Sequence, residues 1–192
     1  MVRAFLAIDL PLDIKKALCN FKNIPEPKEV KLKWVEEENL HLTLKFFGNI
    51  SENLVEKIFN LCEKVCQEIS NFRVDLGEVG VFPEVGKPRV LWIGVEHSKD
   101  RIEDLYLKIE KALKPLKLDN KKEKFHPHIT LMRIKDINNT IEFKQFFERI
   151  IKEAEKLKGL SFMVKEIVLF KSDLFPTGPK YTPLKRIPLK DV

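Results

Sequence analysis

The feature that most constrains the fold of this chain is a short pattern that occurs twice: His-x-Thr followed by a hydrophobic residue. It begins at His41 in H-L-T-L and at His128 in H-I-T-L. The preceding spacing also matches, because Arg3 lies 38 residues before the first motif and Arg89 lies 39 residues before the second. Both arginines open a hydrophobic run typical of a strand.

The spacing after the motifs matches as well, with 41 residues from the first histidine to Phe82 and 42 from the second to Phe170. These spacings predict a duplicated strand-helix-strand-helix-strand unit, with halves near 1–84 and 88–192. A chain of 192 residues can bury a substantial core. We therefore expect one bilobal domain over 1–192.

Hydrophobic periodicity predicts alternating strands and helices without an internal linker. The predicted strands are 2–9, a brief one near Trp34, 41–47, 72–82, 89–95, 128–134, 162–170 and an edge strand around Pro183. The predicted helices are 13–22, a helix capped by Ser51 that runs to about Ile69, one from Ile102 to about Leu116, and 140–157.

Side chains alternate between the two faces of a strand, so the histidine and threonine of each motif point to one face. The intervening hydrophobic residues point to the other face and can enter a core. If an approximate two-fold relates the halves, His41 and Thr43 face His128 and Thr130 across a cleft.

Two facing imidazoles suit phosphoryl transfer to water. An in-line displacement needs a base on the attacking side and an acid on the leaving side, and histidine can take either role near neutral pH. The hydroxyls of Thr43 and Thr130 can hydrogen-bond the non-bridging phosphate oxygens and stabilise developing charge. This scheme requires no metal and no other cofactor.

Charge and composition narrow the class of partner. The net charge of +6 and the pI near 9.1 favour a polyanion, although abundant Glu and Lys also suit an ion-paired thermophilic surface. Three cysteines form no disulfide framework, and Cys62 fits the apolar stripe of a predicted helix. No segment resembles a membrane span or a signal peptide, which predicts a cytoplasmic protein that does not bind a membrane.

The motifs resemble those of the two-histidine phosphoesterases, and most closely the RNA 2′,3′-cyclic phosphodiesterases, also called 2′-5′ RNA ligases. The resemblance rests on the paired H-L-T-L and H-P-H-I-T-L-M-R, the opening R-x-F-L-A-I, the central P-R-V-L-W-I-G-V and the closing F-K-S-D-L-x(3)-G-P-x-Y. It implies an α+β fold of two pseudo-symmetric lobes, each an antiparallel sheet with outer helices, around a central cleft.

The resemblance also implies roles for individual residues. His41 would protonate the departing 3′ oxygen and His128 would activate water, leaving a 2′-phosphate, and the reverse reaction would join RNA ends through a 2′,5′ linkage. Thr43 and Thr130 would bind the phosphate, and Arg133 would add a charged contact or form an ordinary salt bridge. The implied partner is RNA with 2′,3′-cyclic phosphate ends, including tRNA fragments, bound by a monomer.

Several alternatives stay open at this point. His126 shares the side-chain parity of His128 and could support it or complete a metal site with it. Phe47, Trp92 and Tyr181 are candidates for stacking on a base, but strand aromatics are more often part of a core. The substrate could instead be a small cyclic phosphate, such as a nucleotide or an ADP-ribose derivative, or the chain could bind RNA ends without catalysis.

Overall fold

The structure, a computed structural model, describes residues 1–97, 99–118 and 124–191. Positions 98, 119–123 and 192 of the predicted second half lie outside the described residues. In the described ranges, nine strands form one antiparallel sheet against which four α-helices pack, so the α+β prediction is confirmed. None of these helices is both long enough and apolar enough to span a bilayer.

The strands follow the predicted hydrophobic runs closely, and their bounds are β1 Val2–Asp9, β2 Val30–Trp34, β3 His41–Ile50, β4 Phe72–Phe82, β5 Val90–Glu96, β6 His128–Ile137, β7 Ser161–Val164, β8 Glu166–Phe175 and β9 Gly178–Pro188. The α-helices are α1 Leu12–Cys19, α2 Glu52–Cys66, α3 Lys99–Leu113 and α4 Thr140–Ala154. Ser51 caps α2 as predicted, because its side chain accepts a hydrogen bond from the Leu54 amide.

The strands are ordered β7-β4-β5-β6-β3-β1-β8-β9, and β2 pairs separately with β6. One side of the sheet thus contains β1, β3, β8 and β9, and the other contains β2, β4, β5, β6 and β7. A single residue pair, Leu42 with Ile129, joins β3 to β6. The two sides of the sheet therefore meet within the two His-x-Thr motifs.

One predicted strand is wrong as a single element. The segment 162–170 divides at the exposed Lys165 into β7, which pairs with β4, and β8, which pairs with β1 and β9. Both parts are rich in apolar residues, because each joins a buried part of the sheet. A continuous hydrophobic run therefore did not reveal that the chain passes from one side of the sheet to the other.

The two faces of β1 and β8 bury different clusters. Leu6 and Ile8 join the main core between the sheet and the helices, which also contains the fully buried Cys62. Phe5 and Ala7 point the opposite way and form a small cluster with Val168 and Phe170 of β8 and with the partly buried Tyr181 of β9. Phe5 and Tyr181 of this second cluster pack against the His41 ring.

Candidate active site

His41 begins β3 and is held by two hydrogen bonds. Its Nδ1 lies 2.7 Å from the backbone oxygen of Asn39, and its Nε2 lies 3.0 Å from Oγ1 of Thr43. A carbonyl oxygen only accepts, so the proton of the neutral ring is on Nδ1. Nε2 therefore accepts a hydrogen bond from the Thr43 hydroxyl.

His128 begins β6 in the same way. Its Nδ1 donates to the backbone oxygen of His126 at 2.6 Å, so the proton of the neutral ring is again on Nδ1. In both motifs the histidine Nδ1 donates to the backbone oxygen of the residue two positions earlier in the chain. The local backbone thus fixes the same tautomer in both histidines and leaves each Nε2 as the atom that can take up or release a proton.

The junction between β3 and β6 brings the motifs together. Because Leu42 pairs with Ile129 in an antiparallel register, His41 lies opposite Thr130 and Thr43 lies opposite His128. The two motifs therefore lie side by side at this junction.

A cleft of about 850 Å³ opens beside this junction. Of the predicted site residues, His41, Thr43, Thr130 and Arg133 line it. His128 is absent from the described lining, although it directly precedes Ile129 of the strand junction. Its ring packs edge-on against Phe82, with 5.1 Å between ring centroids.

Aromatic side chains position the His41 ring. The ring centroid of Phe5 lies 4.9 Å away in a tilted arrangement, and that of Tyr181 lies 5.3 Å away edge-on. Phe5 in turn stacks on Phe170 at 5.3 Å. This apolar surround restricts the imidazole to the orientation that its two hydrogen bonds set.

Arg133 faces the cleft because of an irregularity in β6. A register shift lies between Leu91 and Trp92 of β5, which pair with Met132 and Thr130 of β6. Leu131 and Met132 are consequently both buried, so Arg133 returns to the face of Thr130. Among the described residues, no carboxylate lies within 4.0 Å of Arg133, and its guanidinium is left for an anion.

Cations outnumber carboxylates in the wall of the cleft. Its charged lining residues are Arg3, Lys33, Arg133, Lys180, Glu36 and Glu38. Lys22, outside this set, pairs with Glu36 at 3.3 Å and offsets one negative charge. The lining therefore attracts an anion such as a phosphate.

Burial lowers the pKa of both motif histidines. The pKa of His41 falls from 6.5 to about 4, mainly because the buried ring disfavours the charged form, and the hydrogen bond to the Asn39 carbonyl partly opposes this. A charge on His128 lowers it further, so the rings interact electrostatically. Burial also lowers the pKa of His128, against the hydrogen bond to the His126 carbonyl. Both rings are therefore neutral at pH 7.

His126 supports His128 through its backbone oxygen, while its own ring lies 4.7 Å from Trp92 and 6.1 Å from the His128 ring. Burial lowers the pKa of His126 as well. Within the described ranges, no group of three or more His, Cys, Asp or Glu side chains could hold a metal ion. Metal independence stays a prediction that chelation must test.

Of the three stacking candidates, only Tyr181 lines the cleft. Phe47 packs against the main core, and Trp92 lines a smaller pocket of about 190 Å³ beside His126. Sequence reasoning missed the other aromatic residues of the lining, which are Phe5, Trp34, Phe46 and Phe175. Phe46 lines the cleft because β3 carries register shifts against β1. If side chains alternated regularly between the two faces of β3 from His41 onward, Phe46 would point away from the cleft.

Sequence reasoning also missed the residues that hold the turn between β8 and β9 across the cleft. The Lys33 ammonium donates to the Thr177 oxygen at 2.6 Å, and the Asn39 amide donates to the Pro179 oxygen at 2.9 Å. Asn39 thus holds this turn with its side chain and the His41 ring with its backbone oxygen. The long sequence separations of these contacts gave no local signal.

The chain is similar in sequence to known proteins of one family. Residues 14–174 match the family model of the 2′-5′ RNA ligase superfamily. The chain is 35% identical over 184 residues to an RNA 2′,3′-cyclic phosphodiesterase of Methanocaldococcus jannaschii, covering 96% of this chain and 99% of the relative.

Solved structures give the same result at the level of the fold. The chain superposes on a Thermus thermophilus protein with a TM-score of 0.80 and 27% identity, and on Escherichia coli LigT, solved with 3′-AMP, with a TM-score of 0.77 and 27% identity. Each match covers 98% of both chains. The motifs, the fold and these similarities together establish that the chain belongs to the 2′-5′ RNA ligase superfamily.

Proposed function

We propose that the chain hydrolyses 2′,3′-cyclic phosphate ends of RNA to 2′-phosphates, with His41 and His128 as the proton-transfer pair. The observation that carries this proposal is the shared geometry of the two imidazoles. Each ring donates its Nδ1 proton to a backbone oxygen, which leaves Nε2 as the proton-transfer atom; Nε2 of His41 also accepts a hydrogen bond from the Thr43 hydroxyl. The relatives named RNA 2′,3′-cyclic phosphodiesterase support the choice of substrate.

In the proposed reaction, Nε2 of His128 takes a proton from water as the water oxygen bonds to phosphorus. The bond from phosphorus to the 3′ oxygen breaks, and Nε2 of His41 gives that oxygen its proton. Thr43, Thr130 and Arg133 hold the non-bridging oxygens, where charge develops. His128 thus gains a proton on the attacking side and His41 loses one on the leaving side, so the two histidines exchange protonation states.

The pKa values bear on this division of labour. A neutral His128 is ready to act as a base at pH 7. His41 must gain a proton before it can act as an acid, because its pKa is about 4. We propose that the bound phosphate stabilises the protonated form of His41, since a nearby negative charge favours the imidazolium.

The direct test uses a short RNA that ends in a 2′,3′-cyclic phosphate, with and without EDTA. We expect hydrolysis to continue in EDTA and the product to carry a 2′-phosphate, identified by a mass gain of one water and by chromatography against authentic 2′- and 3′-phosphate standards. Loss of activity in EDTA with recovery on adding zinc would make His126 and His128 metal ligands. Binding of the RNA with no turnover would instead indicate an RNA-end-binding module.

Variants of the two histidines test their roles in the same assay. His41→Ala and His128→Ala should each lower kcat by about 10²-fold or more. The double variant should be far less than multiplicatively worse, because the two residues act as a unit. His97→Ala is the matched control, since His97 is exposed and outside the cleft lining. Full activity in both single variants would refute the proposed pair.

The finer features of the function belong to the same proposal. The chain acts as a monomer in the cytoplasm on RNA ends such as those of tRNA fragments, and the reverse reaction forms 2′,5′ linkages. Light scattering tests the monomer. Incubation of cyclic-ended RNA with 5′-hydroxyl RNA, followed by analysis of the new linkage, tests ligation.

A further inference from the structure

Arg3 lines the cleft but takes no part in the proposed proton transfers. Its guanidinium carbon lies 4.7 Å from the centre of the Phe46 ring. Its Nε is buried and has no hydrogen-bond partner among the described residues. Nor does a carboxylate of the described ranges lie within salt-bridge distance, so this cation faces the cleft without a protein anion.

The register of β1 against β3 places this guanidinium at a distance from the reacting phosphate. Ala7 of β1 lies opposite Thr43, and Phe5 lies opposite Phe46. Because the Arg3 guanidinium lies over Phe46, it is about two residues, or roughly 7 Å, along β1 from the level of Thr43. The guanidinium therefore lies farther along the cleft than Thr43, where the phosphodiester next to a phosphate held at Thr43 would be within its reach.

A phosphate is the anion that this position suits. A buried N–H without a partner is costly, and a guanidinium can satisfy its donors by binding phosphate oxygens at two points. The Phe46 ring under Arg3 is 49% exposed, which leaves aromatic surface for a base. A cation beside an exposed aromatic ring is the usual combination for holding single-stranded nucleic acid.

We propose that Arg3 and Phe46 form a second nucleotide site, in which Arg3 binds the phosphodiester next to the reacting end of an RNA strand. The inference rests on the proposed function and narrows its substrate class. A cyclic mononucleotide has a single phosphate and cannot occupy this site together with the site at Thr43. The chain should therefore favour oligonucleotide ends over small cyclic phosphates.

The test compares two substrates, a 2′,3′-cyclic mononucleotide and a trinucleotide that ends in the same cyclic phosphate. In the unmodified protein, kcat/KM should be higher for the trinucleotide. Arg3→Gln should lower the ratio of the two kcat/KM values by about 10-fold, the scale of losing a hydrogen bond to a charged group. Arg3→Lys keeps the charge and should preserve part of the ratio.

Arg89→Gln is the matched control. Arg89 holds the position in the second half that Arg3 holds in the first, but its Nη1 donates to the backbone oxygen of Lys135 at 2.7 Å and it is not in the cleft lining. We expect Arg89→Gln to have the same ratio of kcat/KM values for the two substrates as the unmodified protein. An unchanged ratio in Arg3→Gln, or an equal loss on both substrates, would overturn the proposal.

A binding measurement separates this proposal from the catalytic one. Anisotropy of a labelled trinucleotide that ends in a 2′-phosphate, titrated across salt concentrations, does not depend on turnover. In Arg3→Gln, the loss of one phosphate contact should reduce by about 0.7 the slope of the logarithm of the association constant against the logarithm of salt concentration. An inactive unmodified protein would refute the proposed function, whereas equal slopes in both proteins would refute the second site.

Discussion

Phosphate binding is expected to raise the pKa of His41 from about 4 to about 6–7. Lowering a pKa from 6.5 to about 4 corresponds to about 3 kcal/mol against the charged ring. A phosphate monoanion about 4 Å away attracts an imidazolium by about 4 kcal/mol at an effective dielectric constant of about 20. The attraction thus offsets the cost of burial.

The assay is NMR of ¹⁵N-labelled histidine as a function of pH, with and without saturating adenosine 2′-phosphate. Ionic strength is kept constant with chloride, because salt screens the interaction. The spectrum of His41→Gln assigns the signal. By linkage, protonation of His41 should tighten nucleotide binding as the pH falls from 7 toward 5, relative to His41→Gln, in which only the nucleotide's own proton uptake at about pH 6 remains.

A His41 ring that titrates at the same low pH in both conditions would refute this reasoning. The ring would then remain neutral when phosphate is bound, and it could act as a base but not as an acid at pH 7. His128 would have to give the proton to the leaving oxygen. The two roles that the resemblance implies would be reversed.

Three further outcomes follow from the same site. A substrate with a much better leaving group than the 3′ oxygen should rescue His41→Ala and not His128→Ala; the opposite pattern would exchange acid and base. The pKa of His41 is about 4 in the folded protein and near 6.5 in the unfolded chain, so acid favours the unfolded chain. When the pH is lowered from 7 to 4, the unfolding free energy measured in urea should fall by about 3 kcal/mol more in the unmodified protein than in His41→Gln. Equal losses would contradict the low pKa. Asn39→Ala leaves the Pro179 oxygen without its donor and should lower unfolding free energy by about 1–2 kcal/mol; no change would show that water replaces the bond.

The sequence allowed prediction of features that depend on local periodicity. The start of β3 at His41 and the start of β6 at His128 follow from alternating hydrophobic residues, and the cap at Ser51 follows from its hydroxyl. These signals are contained within a few residues of each element. They identify strands and helices but do not say which strands pair.

Features that depend on long-range pairing could not be predicted in the same way. The break at Lys165 and the cleft-facing position of Phe46 both depend on how a strand meets its neighbours. The register shifts in β3 and β6 change side-chain parity, and of these only the shift beside Gly48, whose φ is 69°, is marked by a residue type. The contact of Asn39 with Pro179 spans 140 residues and is invisible to any local pattern.

The two motifs share their local geometry and differ in their surroundings. Asn39 and His126 hold the two imidazoles through equivalent backbone oxygens. Of these two residues, only Asn39 also holds the turn between β8 and β9. Phe5 and Tyr181 pack against the His41 ring, and burial lowers its pKa to about 4. Burial thus favours the neutral form of His41, and the charge of a bound phosphate must restore its proton affinity before the ring can act as the acid.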